Sequence, residues 1–305
     1  MKDMKGYFVP IFTPFNRDGS VDEAAMRQNI SYLIDEGIHG ITLTGSFGEF
    51  PLLSSEERIR LYELAVDEVQ GRTAVVAGTA HAQTEETIRL SQAAEGAGAD
   101  GIMLIAPYYL LPSERDLREH FCAVAKSVTL PVTIYNNPPR TGVNMRPEFL
   151  AELSRLDNVV TIKQSSKLFF EVLELIRLTQ DLPGFHVTNG QEMWAFPALL
   201  MGAQACYGIS PLLLGRKCIE MYDCACRGDV ERGRAIQLRI SIIRNALASC
   251  KATPAACVRE LANMRGLAGG YPRRPIVELS DDDKAILRQA VEQAHIQRVS
   301  SSVAV

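Results

Sequence analysis

The stretch Val159-Val160-Thr161-Ile162-Lys163-Gln164-Ser165-Ser166 carries the strongest local signal in the sequence. Four β-favouring residues lead directly into a lysine, and small polar residues that favour a helix N-terminus follow. The pattern predicts a strand with a lysine at its carboxyl end, where parallel sheets place their chemistry. Taken alone, this lysine is either a solvated loop residue or an amine nucleophile tuned by partial burial.

Side chains alternate between the two faces of a strand, so this strand is expected to have one polar and one apolar face. Val159 and Thr161 are predicted to share the face of Lys163. Val160 and Ile162 are predicted on the opposite face, packed against helices. The amine would then point to the polar side of the sheet.

Strand and helix patterns alternate along most of the chain on either side of this stretch. The predicted strands cover residues 6–13, 40–44, 73–77, 101–105, 131–135, 159–163, 185–188 and 203–208. Helical patterns lie between them at the spacing that βαβ units need. In several strands Thr, Tyr or Lys alternates with Ile, Leu or Val, as expected where one face lines a closed barrel. The predicted fold class is therefore α/β, a (β/α)8 TIM barrel with a C-terminal helical extension.

The pattern becomes helical throughout from about Leu212, with breaks at Gly228, at 251–254 and at 266–275. No flexible linker separates this part from the strands. We expect residues 1–210 to form the barrel core, and residues 211–305 to form helices packed on the barrel within the same structural unit.

Composition and charge exclude several classes of protein. The chain has 305 residues, of which 47% are hydrophobic and 22% charged, with a formal net charge of −4. These values are ordinary for a soluble globular protein with a large core. The slight acidity, and the lack of a basic run interleaved with aromatics, argue against nucleic-acid binding. No apolar run approaches membrane-spanning length, and Met1-Lys2-Asp3-Met4 lacks the apolar core of a signal peptide, so a cytoplasmic protein is expected.

The seven cysteines are an odd number without the spacing of a disulfide framework. This usage indicates reduced thiols. Cys224-Ala225-Cys226 has no matching Cys or His pair nearby. Thiols in the core or at the surface are therefore expected, and no metal site is predicted.

Loops that follow three predicted strands carry candidate binding residues. Gly45-Ser46-Phe47-Gly48-Glu49 lacks the lysine of a P-loop and the spacing of a dinucleotide site, so its amides and hydroxyl suit an organic carboxylate better than a phosphate. Tyr108-Tyr109 follows the fourth strand, and Tyr135 in the fifth is expected to point inward. Arg140, in a loop stiffened by two prolines, offers a forked donor for a carboxylate. Simple aromatic packing and a surface arginine remain the alternatives.

Together these segments resemble the dihydrodipicolinate synthase/N-acetylneuraminate lyase family of class I lyases. The matching elements are the Gly45-x-x-Gly48-Glu49 loop, Pro107-Tyr108-Tyr109, Tyr135-Asn136-x-Pro138 and Lys163 after Ile162. Their order and spacing fit from near residue 6 to the end of the chain. The resemblance implies a (β/α)8 barrel that needs no metal or organic cofactor and commonly assembles as a homotetramer, a dimer of dimers.

The resemblance also implies roles for individual residues. Lys163, with its pKa lowered by burial, would form a Schiff base with pyruvate or another 2-oxo acid. Tyr135 would transfer protons, and the Ser46 hydroxyl would link it to Tyr109 from across a dimer interface. Amides at Ser46 and Phe47 would hold the carboxylate of the keto acid. The predicted substrate-binding residues are Phe47, Gly48, Arg140, Gly190 and Tyr207.

Departures from the family pattern guide the prediction of function. Biosynthetic synthases of the family typically have two adjacent threonines where this chain has Ser46-Phe47, and glutamate where it has Gln164. Arg140-Thr141-Gly142, in contrast, matches the synthases, in which the arginine binds the carboxylate of the second substrate. We predict a lyase, an aldolase or dehydratase, acting on a small acidic 2-oxo compound. Condensation of pyruvate with aspartate semialdehyde is the alternative within the family. A non-catalytic barrel that binds a 2-oxo acid or a sugar acid is the alternative of another class.

Overall fold

Eight parallel strands form the centre of the computed structural model, which describes residue 2 and residues 4–299. Each strand pairs with the next along the chain, and the eighth pairs with the first, so the sheet closes into a barrel. The strands are β1 Gly6–Pro10, β2 Gly40–Leu43, β3 Ala74–Gly78, β4 Gly101–Ile105, β5 Val132–Asn136, β6 Val159–Gln164, β7 His186–Asn189 and β8 Ala205–Tyr207. The predicted (β/α)8 barrel is confirmed.

Helices connect the strands and continue beyond the last of them. Those that connect strands are α1 Glu23–Asp35, α2 Ser55–Val69, α3 Thr84–Gly96, α4 Glu114–Lys126, α5 Pro138–Thr141, α6 Pro147–Leu153, α7 Phe170–Thr179 and α8 Ala195–Leu200. The later ones are α9 Pro211–Leu214, α10 Lys217–Arg227, α11 Val230–Ser249, α12 Pro254–Arg265 and α13 Asp281–Gln293. Short 3-10 helices lie at Phe50–Leu52 and Glu192–Trp194.

Several helices begin where the sequence supplies acceptors for the free N–H groups of the first turn. Helix α2 starts with a capping box of Ser54 and Glu57, and α4 starts with the same arrangement of Ser113 and Asp116. The Thr253 side chain caps α12. Each such cap contributes about 1 kcal/mol, so the starts of these helices are set locally by the sequence.

Two segments differ from the sequence-based expectation because of proline. The helical pattern between β7 and β8 does not form one helix but is divided into the 3-10 helix Glu192–Trp194 and α8. Pro197 has no N–H to donate to the Met193 carbonyl, so a continuous α-helix cannot form there. Conversely, the loop after β5 contains the single helical turn α5, because Pro138 and Pro139 preset the backbone for a first turn.

Apolar side chains form two separate cores, as the alternation along the strands predicts. The larger core lies between strands and helices and includes Ile41, Leu43, Ile134 and Ile162. The smaller core fills the barrel and includes Phe8, Met103, Tyr135 and Tyr207. Because aromatic rings occupy the second core, the inside of the barrel is a low-polarity environment for any group that enters it.

The alternation is broken at the start of β6 by one extra residue. Val132 on β5 pairs with Val159, but the next residue, Thr133, pairs with Thr161. Val160 therefore has no partner on β5, which makes it a β-bulge. Neither the β-propensity nor the apolar pattern of this strand predicts a bulge at Val160.

The bulge makes two of the predicted side-chain directions wrong. Val159 lies in the outer core together with Ile162, whereas Val160 packs against the core inside the barrel. The sequence pattern predicted the reverse for both valines, since it assumed a regular strand. For Ile162 and Lys163 the prediction is correct: the lysine amine lies over the Tyr135 ring inside the barrel.

The helices after β8 contact the barrel through buried polar groups. The Gln237 amide on α11 donates a hydrogen bond of 2.8 Å to the Glu192 carbonyl. The Arg259 guanidinium on α12 donates to the Thr13 carbonyl over 3.0 Å and forms a buried ion pair with Glu49. These contacts support the proposal that residues 211–299 belong to the same unit as the barrel; residues 300–305 of the predicted segment lie outside the described residues.

All seven cysteines are free thiols. Cys224 is buried whereas Cys226 is exposed, so the two thiols of the Cys-x-Cys element lie in different environments. Among the residues that the structure describes, no helix combines the length and the apolarity that crossing a bilayer requires. Within the same residues, no group of three or more His, Cys, Asp or Glu side chains is arranged to hold a metal ion.

The Arg259→Met variant tests how strongly the C-terminal helices are fixed to the barrel. It leaves the Glu49 carboxylate buried without its cation, so unfolding in denaturant should show a loss of about 3–5 kcal/mol. The double variant Glu49→Gln/Arg259→Met should lose less, because no buried charge remains unpaired. Arg234→Met, at an exposed position of α11, is the control. Equal stability of the wild type and Arg259→Met would contradict this account.

Candidate active site

Lys163 occupies the carboxyl end of β6 and its amine lies inside the barrel. The side chain is 3% exposed. Its Nζ atom lies 4.0 Å from the centre of the Tyr135 ring, 4.3 Å from that of Tyr207, and 3.9 Å from the Met103 sulfur. Burial disfavours the ammonium form, and it lowers the pKa of Lys163 from the ordinary value of 10.5 to about 7. A substantial fraction of the amine is therefore neutral near pH 7.

Tyr135 is the partner of Lys163 on the adjacent strand β5. Its hydroxyl accepts a hydrogen bond of 2.6 Å from the Asn137 side-chain amide. Burial raises the pKa of Tyr135, and nearby polar groups of Ser165, Ser46 and Asn137 act in the opposite direction. The phenol is therefore held in its neutral form beside the amine, with the Ser46 hydroxyl close to it.

The loop after β2 approaches the barrel mouth closely because it contains glycine. A Cβ atom on Gly48 would lie 2.9 Å from the Thr44 nitrogen, so a larger residue would displace the backbone. The Gly48 carbonyl accepts a hydrogen bond of 2.8 Å from Thr13. Ser46 and Phe47 are half-buried at the tip of this loop, and Phe47 packs against the outer core. The loop thus brings a hydroxyl and an aromatic wall next to Lys163.

Gly190 and Tyr207 complete the wall around the amine. A Cβ atom on Gly190 would lie 1.8 Å from the Ser165 hydroxyl oxygen and 3.2 Å from Lys163 Cε, so only glycine fits beside the lysine. Tyr207 is 3% exposed and stacks on Phe8 with 5.1 Å between ring centres. Burial raises the pKa of Tyr207, which keeps this phenol neutral as well.

Ser46 lines both an inner cavity and an outer cleft at the barrel mouth. The inner cavity, of about 30 Å³, is lined by Ser46, Phe47, Tyr135, Lys163, Gly190, Glu192, Tyr207 and Arg244, together with Pro10 and Gly208. The outer cleft, of about 280 Å³, is lined by Ser46, Glu49, Tyr108 and Arg140, among others. Arg140 is exposed and lines the outer cleft, not the inner cavity that contains Lys163.

Tyr109 is the one predicted catalytic residue that the structure does not bring to the site. It is 91% exposed, and its backbone has a φ of 74°, a left-handed conformation. The next two residues, Leu110 and Leu111, are 67% and 63% exposed. Within one chain, therefore, Tyr109 takes no part in the cluster around Lys163.

Sequence reasoning missed several residues that line or contact the cluster. Among them are Met103, Asn137, Glu192 and Arg244. Asn137 is the unspecified position of the Tyr135-Asn136-x-Pro138 motif. The sequence therefore indicated this segment, although it predicted no role for Asn137 itself. Arg244 lies on α11 with no local motif, and only the tertiary packing of that helix brings it to the inner cavity.

The family model of the dihydrodipicolinate synthetase family matches residues 3–294 of this chain. A 4-hydroxy-tetrahydrodipicolinate synthase of Methanothrix thermoacetophila is 37% identical over 288 residues, covering 94% of this chain and 96% of the relative. A protein of the same name from Oceanobacillus iheyensis is 36% identical over 271 residues, covering 88% of this chain and 90% of the relative.

Solved structures agree with the relatives. Dihydrodipicolinate synthase from Aquifex aeolicus superposes with a TM-score of 0.91 at 30% identity, covering 97% of this chain and 99% of that one. YagE, a prophage protein from E. coli K12 whose structure is a complex with pyruvate, gives a TM-score of 0.91 at 30% identity, with coverage of 96% and 99%. The chain belongs to the dihydrodipicolinate synthetase family and is an enzyme of that family.

Proposed function

We propose that this enzyme is a Schiff-base-forming lyase, with Lys163 as its nucleophile and pyruvate or another 2-oxo acid as its substrate. The observation that carries the proposal is the burial of Lys163 beside Tyr135, which lowers the lysine pKa to about 7. A neutral amine attacks a carbonyl carbon, whereas an ammonium ion cannot. The structure of YagE with pyruvate supports a 2-oxo acid as the ligand.

The proposed reaction begins when the Lys163 amine adds to the keto carbon. The carbonyl oxygen takes one proton from the attacking amine and a second from Tyr135, and it leaves as water, which produces an iminium ion. The Tyr135 phenolate then takes a proton from C3 and gives an enamine, whose electron pair forms a bond to the aldehyde carbon of a second molecule. Tyr135 passes this proton to the aldehyde oxygen, and water then releases the product from Lys163, giving one proton to the lysine nitrogen and one to Tyr135. Cleavage follows the same steps in reverse, and neither direction as written uses a metal or an organic cofactor.

The residues around Lys163 would bind the substrate. Backbone amides at Ser46 and Phe47 are suited to the keto-acid carboxylate, since Gly48 holds this loop close to the barrel mouth. Gly190 leaves room beside the lysine side chain, and Tyr207 forms one wall. These assignments rest on position in the inner cavity.

We further propose that Tyr109 serves the site of a neighbouring subunit. Its exposure, together with that of Leu110 and Leu111, gives an apolar protrusion on the loop after β4. Water around such a protrusion is released when another surface covers it, which favours association. A homotetramer built as a dimer of dimers remains the proposed assembly.

Synthesis of 4-hydroxy-tetrahydrodipicolinate is the second candidate function. Relatives of that name share 33–37% of their residues with this chain. The position of Arg140 in the outer cleft, next to Ser46, would suit the carboxylate of aspartate semialdehyde. The bulk of Phe47 in the inner cavity favours instead an aldolase or dehydratase with a different second substrate.

Reductive trapping tests the nucleophile. Incubation with pyruvate and borohydride should attach one pyruvate-derived group to Lys163 and abolish turnover, with peptide mass mapping as the measurement. Lys163→Met, of similar length, should give no adduct and stay folded, because the side chain it replaces lies in a largely apolar environment. An adduct on another lysine, or none with any 2-oxo acid, would overturn the Schiff-base proposal.

The pH dependence of trapping tests the environment of the amine. Below its pKa the amine is protonated, so the rate of adduct formation with pyruvate and cyanoborohydride should rise about tenfold per pH unit up to pH 7 and then level off. A solvated lysine would show a rate that continues to rise towards pH 10. Such a profile would contradict a pKa of about 7 at Lys163.

The Tyr135→Phe variant tests proton transfer. It keeps the ring over the lysine but deletes the hydroxyl, so turnover should fall about a hundredfold or more. Stability should fall by only about 1 kcal/mol, because the Asn137 amide loses one acceptor. Turnover numbers and thermal unfolding of both proteins are the measurements. Retention of most of the activity would mean that Tyr135 only packs against the amine.

A further inference from the structure

The Asn137 side chain is hydrogen-bonded to the residue that would transfer protons in the proposed reaction. Its Nδ2 atom donates to the Tyr135 hydroxyl oxygen over 2.6 Å, and both residues are buried. Side chains alternate along β5 and past its end at Asn136, which places Asn137 on the same side of the chain as Tyr135. The described residues that line the inner cavity include Tyr135 but not Asn137. A substrate in this cavity would therefore contact the phenol, and Asn137 would act only through it.

The sequence after Asn137 removes the usual role of an asparagine that precedes a helix. Such a side chain normally accepts a hydrogen bond from an N–H group of the first turn. In α5 the first two residues, Pro138 and Pro139, have no N–H, and the third, Arg140, donates its N–H to the Asn137 carbonyl over 2.9 Å. Accordingly, the Asn137 side chain makes no capping hydrogen bond to the described residues of α5. Its amide is left to bind Tyr135.

Hydrogen bonds on both sides of Asn137 fix the position of this amide. The Asn137 carbonyl also accepts from the Thr141 N–H over 3.1 Å. On the other side, the Asn136 side chain donates to the Met145 carbonyl and to Gln164 Oε1, each over 3.0 Å. The donor to the phenol is therefore already oriented before any substrate binds, as in sites where fixed dipoles stabilise a developing charge.

The direction of the hydrogen bond decides where the Tyr135 proton points. An amide N–H group donates and cannot accept, so the phenol oxygen uses a lone pair for Asn137 and keeps its own hydrogen for another acceptor. On the side of the inner cavity, the Ser46 hydroxyl is within reach of the phenol. In the proposed reaction the keto oxygen of the substrate is the second acceptor there. The bond from Asn137 thus leaves the proton available to the cavity.

The same hydrogen bond stabilises the phenolate form of Tyr135. In the proposed reaction the carbonyl oxygen takes the phenol proton, the electron pair stays on the phenol oxygen, and this oxygen later takes a proton from C3. Burial disfavours the anion and raises the pKa of Tyr135, whereas the hydrogen bond from Asn137 acts to lower it. A hydrogen bond to a charged acceptor is stronger than one to a neutral acceptor, so Asn137 favours the phenolate over the phenol. Asn137 itself neither gains nor loses a proton.

We propose that Asn137 is a positioning residue, which directs the Tyr135 proton towards the inner cavity and stabilises the phenolate between the two proton transfers. This inference rests on the proposed function, because it assumes that Tyr135 transfers protons to and from a 2-oxo acid held on Lys163. It gives a chemical role to a position for which the sequence predicted none.

Exchange of the methyl hydrogens of pyruvate with deuterium oxide tests the inference without a second substrate. The exchange needs the iminium ion on Lys163 and removal of the C3 proton, and NMR measures its rate. Asn137→Leu, apolar and of similar size, should lower kcat for exchange about 10- to 100-fold, as expected when a hydrogen bond to a charged group is lost. The KM for pyruvate should stay nearly unchanged, since Asn137 does not line the cavity. Asn245→Leu, exposed on α11, is the control that should keep the wild-type kcat.

Two further variants separate a positioning role from a structural one. In a Tyr135→Phe background Asn137→Leu should cause no further loss, because the hydroxyl through which Asn137 acts is gone. An equal loss in both backgrounds would overturn the inference. Asn137→Asp keeps the shape of the side chain, but its carboxylate accepts and does not donate, so kcat should fall at least as far as in Asn137→Leu. Exchange at the wild-type rate in Asn137→Asp would mean that the phenol donates to this residue, which also contradicts the proposal.

Borohydride trapping with pyruvate separates failure of this inference from failure of the proposed function. If the wild type forms no adduct, the proposed function fails. If it forms the adduct and exchanges hydrogens, but Asn137→Leu exchanges at the same rate, only the role of Asn137 is overturned. An adduct without exchange in the wild type overturns the removal of the C3 proton and the role of Asn137 with it. Thermal unfolding and complete labelling of Lys163 on long incubation identify folded variants, and the nearly isosteric Asn137→Asp decides the test if Asn137→Leu does not fold.

Discussion

The burial of a single amine is the constraint on which the site depends. Lys163 is enclosed by the rings of Tyr135 and Tyr207 and by the Met103 sulfur, with water largely excluded. Charging this amine therefore costs free energy, which lowers its pKa to about 7 and leaves much of it neutral near pH 7. The Schiff base proposed for the same nitrogen can also lose its N–H proton, so its cationic form needs stabilisation, which the electron-rich ring faces of Tyr135 and Tyr207 would supply.

Much of the barrel could be predicted from the sequence because its signals are local and repeated. Capping boxes such as Ser54 with Glu57, and the apolar alternation along the strands, follow from backbone chemistry and burial. The cluster of Lys163, Tyr135 and Ser46 could be predicted for a related reason. Residues at the carboxyl ends of parallel strands meet at one end of a barrel, so position along the chain predicts proximity.

What the sequence did not reveal depends on tertiary packing or on partner groups. Arg244 reaches the inner cavity only because α11 packs against the segment around Glu192, and the helix itself bears no motif. The predicted direction of the Val159 side chain was wrong because no residue type in this strand indicates a bulge. The role proposed for Tyr109 would need a surface outside one chain, so a single subunit does not determine it.

The bulge at Val160 sets the phase of the strand that carries Lys163. Val159 faces the helices, and in a regular strand every second residue after it would do the same. Lys163 is four residues further on, so the same residues in a strand without a bulge would direct its amine into the outer core, away from the barrel interior. Deletion of Val160 would instead give a regular ladder in which Thr161 still pairs with Thr133 and Lys163 with Tyr135, and the amine would stay inside the barrel. The direction of the Lys163 amine is therefore specified by the number of residues before it together with the bulge that takes up one of them.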